Sequence, residues 1–225
     1  MTNIITEDHS FSSRWLIAIF PTATSNETNM TNLQTIKPVK DSLKTVKLLT
    51  LSSLNCRSVK NKALSSADFV TSRNIDILAL TETWLGTSIN TQVLSELLPP
   101  GYDILRVARR DKRGGTVAVL FREVLVLNII QYTKGGIFTQ FEHMELSMKA
   151  GKNQIGLCSI YHPPPSEQNR FKATMFLDEW SNYLDRLTTI PQEVIIIRDL
   201  NFYFNDPIDI NVRRFMGQLD AYGLV

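Results

Sequence analysis

The sequence predicts a single domain of mixed α/β or α+β class, and three observations support this prediction. The chain has 225 residues, 43% of them hydrophobic, which is enough for one sizeable core. After residue 43, short apolar runs bounded by turn residues alternate with segments of helical spacing. The run at 194–197 (VIII) is β-branched and apolar on both faces, which is typical of a central strand.

The predicted elements follow one another closely along the chain. Strands are expected at residues 46–54, 75–80, 102–107, 116–121, 125–130, 141–148, 154–160 and 194–197. Residues 60–73 carry apolar or small side chains near helical spacing, which predicts a helix. Residues 171–187 predict a second helix, because Phe171, Met175, Trp180 and Leu184 lie on one face.

Residues 1–43 are predicted to form a loosely ordered leader, followed by the domain at 44–225. The leader is rich in Ser, Thr and Asn and has no sustained period. Its apolar run at 15–20 favours a short strand or helix that packs on the domain over a targeting signal, because Glu7 and Asp8 precede it. The run is too short to span a bilayer, so no membrane partner is predicted.

Charge indicates a local rather than a global basic surface. The net charge is only +2, so no whole-protein field selects nucleic acid or an acidic membrane as partner. One cluster has the charge to neutralise DNA phosphates beside a cleft, the alternative being a solvated hairpin loop; it contains Arg106, Arg109, Arg110, Lys112 and Arg113.

Two patterns argue against other classes of site. Cys56 and Cys158 are far apart and lack CxxC spacing, so neither a disulfide framework nor a zinc site is predicted. Gly114 and Gly115 open a strand, which favours a tight turn over a phosphate loop. No nucleotide cofactor is expected.

Two tryptophans are predicted to lie in the core. Trp84 and Trp180 each lie in an apolar context, which favours core packing over stacking on bases.

Four of the predicted strands end in polar residues, and this pattern carries the functional prediction. These residues are Asn55, Glu82, Tyr161, and the pair Asp199 and Asn201. Each alone is more often a turn residue, but strands that end together place their terminal side chains on one rim. Two carboxylates, two carboxamides and a phenol suit a hard cation such as magnesium. Phosphodiester hydrolysis needs such a cation and a group that activates water.

Five segments in this order resemble the endonuclease/exonuclease/phosphatase superfamily. They are LNCRSVKNK (54–62), DILALTETWL (76–85), RGGTVAVLFR (113–122), YHPPPS (161–166) and IIIRDLNFY (195–203). Within the superfamily they are similar to the apurinic-type endonuclease domain of LINE-like, non-LTR retrotransposons, over residues 46–225. The resemblance implies a four-layer sandwich of two packed mixed sheets flanked by helices. It also implies DNA as partner and an intracellular location, nuclear for an active retroelement domain.

The resemblance implies a role for each residue of the predicted rim. Glu82 is the principal ligand of Mg²⁺, with Mn²⁺ as an alternative ion, and Asn55 is an accessory ligand that orients the site. Tyr161 contacts the scissile phosphate. Asp199 activates or aligns the attacking water, and Asn201 holds phosphate and water in place.

Three positions depart from the pattern of that family. Arg198 replaces a glycine, and its bulk and charge are expected to crowd the backbone or to pair with Asp199 and lower the pKa of that carboxyl. His162 stands where the retrotransposon form has Arg, and it is assigned either to nucleic-acid contact or to a turn. Tyr203 stands where a His is common.

The resemblance also predicts that the domain is incomplete at its C-terminus. The family ends with an Asp and a Ser-Asp-His motif, but the only histidines of this chain are His9, His143 and His162. Loss of one positioned acid–base group or donor costs about 10²–10⁴ in rate, so weak or no activity is expected. A catalytically dead relic that at most binds DNA is the alternative. The same fold acting on a small phosphoester or lipid phosphate is a third reading, against which the YHPP segment argues.

Overall fold

The computed structural model describes residues 15–19, 33–36, 49–85, 91–106, 116–125, 127–132, 138–150, 153–164, 172–201 and 208–224. Within these ranges the strands are β1 Trp15–Ile19, β2 Leu33–Ile36, β3 Leu49–Asn55, β4 Ile77–Thr81, β5 Tyr102–Arg106, β6 Ala118–Arg122, β7 Leu127–Tyr132, β8 Glu142–Ala150, β9 Asn153–Tyr161 and β10 Glu193–Asp199. The α-helices are α1 Ala63–Ser72, α2 Thr91–Leu97, α3 Ala173–Thr188 and α4 Ile210–Ala221.

The strands form two mixed five-stranded sheets. Sheet A has the order β1-β10-β9-β8-β7, in which β1, β10 and β9 are parallel and the other pairs antiparallel. Sheet B has the order β2-β3-β4-β6-β5, in which only β3 and β4 pair in parallel. Mixed sheets joined by helical crossovers confirm the predicted α/β class.

Alternation along the strands produces the layers of the sandwich. In β10, Ile195 and Ile197 face sheet B, whereas Val194 and Ile196 pack with α3 and α4. In β4, alternate residues face the inter-sheet core or the core beneath α1 and α2. The order helix, sheet, sheet, helix is therefore the four-layer arrangement expected from the sequence.

The predicted leader is not wholly loose, because two of its segments are strands of the sheets. β1 pairs in parallel with β10, with Ile17 opposite Ile196. β2 pairs antiparallel with β3, with Gln34 opposite Leu51. Two segments of the predicted leader are therefore strands of the sheets, while the predicted division at residues 43 and 44 stays a prediction. Each segment covers the open edge of a sheet, which a pattern search along the chain does not detect.

Two helices, α2 and α4, were not predicted from the sequence. The α4 helix begins after Asp209, whose carboxylate accepts a hydrogen bond from the Asn211 amide at 2.7 Å. Its buried face is formed by Val212, Phe215 and Leu219, at helical spacing. An N-cap followed by this spacing is a signal that could have identified α4.

No helix in the described part of the chain is both long and apolar enough to cross a membrane.

The outer helix layer of sheet A is built around Trp180, which is fully buried as predicted. Its ring stacks on Phe215 of α4 at 5.5 Å between centroids and on Phe176 at 6.1 Å. These contacts join α3 to α4 as well as to the sheet. The indole therefore fixes the position of both helices over sheet A.

We expect Trp180→Ala to lower the free energy of unfolding by about 3–5 kcal/mol, because it opens a cavity in this aromatic layer. Urea denaturation measures the change. Val124→Ala is the control, since Val124 is 79% exposed, and an exposed substitution of this kind changes stability by no more than about 0.5 kcal/mol. Equal stability of the two variants would show that α3 does not close the core.

Candidate metal and phosphate site

Four strands deliver polar side chains to one end of the inter-sheet core. In sheet B, Asn55 at the end of β3 lies opposite Thr81 at the end of β4. In sheet A, Tyr161 at the end of β9 lies opposite Asp199 at the end of β10. In each of the four strands, the polar residue lies two or four positions after an apolar residue that faces the inter-sheet core. Because side chains alternate along a strand, all four polar side chains face that core as well. The core of the sandwich therefore ends in a polar layer.

The amide of Asn55 joins two carboxylates at this rim. Its Nδ2 donates to Glu82 Oε1 at 2.8 Å and to Asp199 Oδ2 at 2.9 Å. Thr81 Oγ1 donates to the same Asp199 oxygen at 2.7 Å. Asn55 Oδ1 accepts from the Arg57 amide at 3.1 Å, which is the contact that assigns the orientation of the amide group. The structure thus brings together residues separated by more than 100 positions.

Asn201 also lies close to this group. Its Nδ2 donates to the His162 carbonyl at 2.8 Å, and the His162 amide donates to the Asp199 carbonyl at 2.9 Å. The Asn201 side chain is half-buried and its nitrogen is engaged by the backbone. Its predicted role in holding phosphate and water therefore falls to Oδ1, and it stays a prediction.

Unusual backbone conformations concentrate at the rim. Among the described residues other than glycine, seven have positive φ, and six of these lie in the segments that follow β3, β4 and β10 or precede β6: Arg57, Ser58, Glu82, Trp84, Thr116 and Asn201. Such conformations cost on the order of 1–3 kcal/mol each and persist only where surrounding contacts impose them. Here the loops after β3 and β4 are joined by backbone hydrogen bonds from Cys56, Ser58 and Val59.

Burial raises the pKa of the Asp199 carboxyl. Desolvation is the largest cause, and the charge of Glu82 acts in the same direction. The hydrogen bonds from Thr81, Asn55 and the Asn201 backbone act in the opposite direction without cancelling the effect. A carboxylate with a raised pKa accepts a proton more readily at neutral pH, which suits a group that activates water.

The residues present fit a magnesium ion bound through few protein ligands. Glu82 is half-buried at the rim and offers carboxylate oxygens. No group of three or more His, Cys, Asp or Glu suited to a metal occurs in the described part of the chain. Mg²⁺ commonly binds through one or two carboxylates and completes its octahedron with water and substrate phosphate. The rim therefore fits an open site and does not provide a closed protein cage.

The hydrogen bonds of Asn55 bear on both of its predicted roles. Its nitrogen donates to Glu82 and Asp199, and its oxygen accepts the Arg57 amide hydrogen. In this arrangement Asn55 holds the two carboxylates in position. Its roles as an accessory ligand and as an orienting residue both stay predictions.

Tyr161 and two residues that were not predicted complete the rim. The Tyr161 ring is buried in the inter-sheet core, and Glu142 at the start of β8 lies opposite it. A Glu142 oxygen accepts the Thr116 amide at 2.9 Å. Thr81, the donor to Asp199, was also missed. The alternation of side chains along a strand could have identified both residues. Glu142 is two positions from Met144 and Thr81 is two positions from Ala79, and Met144 and Ala79 both face the inter-sheet core.

Arg198 does not pair with Asp199, contrary to the sequence expectation. As the preceding residue of β10 it points to the opposite face, where its guanidinium lies 4.5 Å from the centre of the Phe215 ring. Burial lowers the pKa of Arg198 to about 9. Arg198 is not among the groups that shift the pKa of Asp199, which is raised and not lowered.

The two described histidines lie in the core. His162 is fully buried, stacks on Phe176 at 4.2 Å and places Nδ1 2.7 Å from the Gln140 carbonyl oxygen. The prediction that it contacts nucleic acid is therefore wrong for this structure. His143 is also buried, and desolvation lowers its pKa to about 4. In the described part of the chain, no histidine lies at the rim.

The remaining sequence predictions have mixed outcomes. The basic residues Arg109, Arg110, Lys112 and Arg113 fall outside the described residues, so their role stays a prediction. Trp84 was predicted to be in the core, but it is 54% exposed. Cys56 and Cys158 are both free and buried. Burial raises the pKa of Cys56 to about 12, which keeps its thiol protonated at neutral pH.

Comparison with known proteins places this geometry in a known architecture. No protein-family model and no curated protein matches the chain. A mannosyl-6-phosphatase of Bacteroides thetaiotaomicron superposes with a TM-score of 0.54 at 16% identity, covering 76% of this chain and 70% of that one. An endonuclease/exonuclease/phosphatase family protein of the same organism gives 0.54 at 16% identity, over 76% and 68%.

Two further structures have the same architecture. The endonuclease domain of TRAS1, a telomere-specific non-LTR retrotransposon, gives a TM-score of 0.52 at 17% identity, covering 77% of this chain and 70% of that one. A humanized TDP2 of D. rerio gives 0.52 at 12% identity, over 79% and 67%. At these identities the likeness establishes the fold. The chain therefore has the fold of the endonuclease/exonuclease/phosphatase superfamily, as its sequence motifs predict.

Proposed function

We propose that the protein is a magnesium-dependent phosphodiester hydrolase that nicks DNA, of the kind found in non-LTR retrotransposons. The observation that carries the proposal is the pair of carboxylates, Glu82 and Asp199, joined by the Asn55 amide at an open rim. One carboxylate is half-exposed and suited to a cation, and the other is buried with a raised pKa. In metal-dependent hydrolysis of a phosphodiester, one group holds the cation and another accepts the proton of the attacking water.

The residues of the rim would act as follows. Glu82 would hold Mg²⁺, or Mn²⁺ in its place, and the ion when bound offsets charge on the phosphate. Asp199 would align a water molecule and accept its proton, while Thr81 and Asn55 hold the receiving carboxylate in one position. Tyr161 and Asn201 lie beside Asp199 and would contact the phosphate oxygens.

DNA as the substrate is supported by the sequence motifs. The segments LNCRSVKNK and YHPPPS are similar to the retrotransposon endonucleases, and the endonuclease domain of TRAS1 has the same fold. The first residue of the basic cluster, Arg106, is the last residue of β5. It lies opposite Ala118, which in turn lies opposite Leu80 next to the rim, and the other members of the cluster fall outside the described residues. A DNA-nicking function would place the protein in the nucleus.

A second candidate function is DNA binding without catalysis, as in a relic of such an element. The observation that favours it is the position of His143 and His162, which lie in the core and not at the rim. Without a histidine or equivalent donor beside the phosphate, hydrolysis would be slower by about 10²–10⁴. We therefore expect slow cleavage, and its complete absence would favour the binding function.

The first experiment is nicking of supercoiled plasmid with and without Mg²⁺. We expect slow nicking that requires Mg²⁺ and that falls by about 10² or more in Glu82→Gln, because the amide loses the charge that holds the ion. Glu123→Gln is the matched control, since Glu123 is exposed and follows β6 at the end of the sheet remote from the rim. Nicking that is independent of Mg²⁺, or equal in Glu82→Gln and Glu123→Gln, would contradict the proposal.

The second experiment tests whether the ionised Asp199 carboxylate destabilises the folded protein. Because the pKa of Asp199 is raised in the folded protein, its ionised form destabilises the fold above that pKa, and the effect disappears as the pH falls below the unfolded value. We expect Asp199→Asn to abolish nicking but to raise the melting temperature at pH 7, with a smaller gain near pH 4. Thermal denaturation across this range measures it. If Asp199→Asn were less stable than wild type at pH 7, the conclusion that ionised Asp199 destabilises the fold would be contradicted.

A further inference from the structure

An exposed tryptophan stands next to the bridged carboxylates. Trp84 lies two residues after Glu82 and is 54% exposed, whereas Trp180 is fully buried. Single exposed apolar residues are common on protein surfaces, so exposure alone assigns no function to Trp84. The way in which the chain holds this residue is more informative.

The backbone that carries the exposed Trp84 side chain is strained and is anchored on both sides. Its φ is 54°, in the left-handed region that bulky side chains rarely adopt. The residues on both sides are buried, Thr83 at 1% and Leu85 at 5% exposure. The Thr83 carbonyl accepts the Val59 amide at 3.0 Å, and its hydroxyl pairs with that of Thr116. The exposed ring is therefore held between two anchored neighbours, at a cost in backbone strain that core packing of the ring does not explain.

A cationic side chain is exposed on the neighbouring loop. Arg57 follows β3, has a φ of 42° and donates its amide hydrogen to Asn55 Oδ1. The next residue, Ser58, donates to the Glu82 carbonyl at 2.8 Å, so the two loops run side by side. An indole and a guanidinium thus lie on adjoining loops at Glu82. An aromatic platform next to a cation is the pair of groups that binds a base and its phosphate.

We propose that Trp84 stacks on an unpaired or extruded base of a nucleic acid strand that passes along the rim, and that Arg57 neutralises a phosphate of the same strand. The inference rests on the proposed function and specifies its substrate class as single-stranded or locally unpaired nucleic acid. In a paired duplex both faces of each base are already stacked, so the indole gains a partner only where a base leaves the stack. Stacking tolerates any base, so sequence preference would have to come from elsewhere.

Binding without Mg²⁺, in the presence of EDTA, tests the proposal separately from catalysis. The probes are a single-stranded oligothymidine, an abasic backbone of equal length and a fully paired duplex. We expect Trp84→Ala to weaken oligothymidine binding roughly 5-fold to 150-fold, the range seen when one stacking aromatic is removed. Trp84→Phe should retain most of the affinity, and Trp84→Ala should bind the abasic strand as wild type does.

The controls separate stacking from other effects. Val124→Ala removes another exposed apolar side chain, on the turn after β6 and remote from the rim, and should bind every probe as wild type does. Oligothymidine should quench tryptophan fluorescence more in wild type than in Trp84→Phe, and the difference isolates the signal of Trp84 from those of Trp15 and Trp180. An unchanged melting temperature in Trp84→Ala would show that the fold is intact.

Three results would overturn the inference. They are an absence of oligothymidine binding by wild type, equal affinity of wild type and Trp84→Ala, and an equal loss of affinity for the abasic strand. The last would assign the indole to a sugar or backbone contact. Since no hydrolysis is involved, failure of plasmid nicking leaves this result unaffected. Conversely, nicking that depends on Glu82 but not on Trp84 would remove the stacking proposal alone.

Discussion

The bridge from the Asn55 amide to Glu82 and Asp199 is the interaction on which the rim depends. Asn55 and Glu82 belong to sheet B and Asp199 to sheet A, so the bridge also joins the two sheets where their apolar core ends. A buried carboxylate is costly unless donors compensate it, and here Asn55 and Thr81 supply the donors to one oxygen. The positions of Asn55 and Thr81 therefore meet a structural requirement and also suit the proposed chemistry.

Strand register decides whether this bridge forms. The side chains of a strand alternate between its two faces, so a slip of one residue would move Asn55 or Asp199 from the inter-sheet face to the helix face. Packing between the sheets opposes such a slip, because Leu51, Ile195 and Ile197 would then face the wrong core. The geometry of the candidate site is thus maintained by apolar residues that have no part in the chemistry.

Much of the rim could be predicted from polar residues at strand ends, while the errors arose where side-chain direction was ignored. Arg198 and His162 are each one residue away from a rim residue, and alternation carries both into the helix-side core. The same rule, applied at the sequence level, would have excluded them. Trp84 is different, because its exposure follows from a positive φ imposed by contacts with β3 and β6 segments distant in sequence. The pairing of β1 and β2 likewise depends on sheet edges that only the folded protein creates.

Arg198 and Asp199 are adjacent in β10 and their side chains lie on opposite faces of the strand, so the Arg198 guanidinium points away from the Asp199 carboxylate. Although Arg198 occupies a position where the endonucleases that the sequence resembles have glycine, the helix layer accommodates its guanidinium over Phe215. Burial and the charge of Glu82 consequently control the pKa of Asp199. The replacement of glycine by Arg198 therefore leaves the proposed cation site unaffected. The described histidines pack against aromatic residues of α3, so the proposed hydrolysis would have no histidine donor from the described part of the chain. Under the proposed function, phosphate binding and the rate of hydrolysis would thus depend on different parts of this fold.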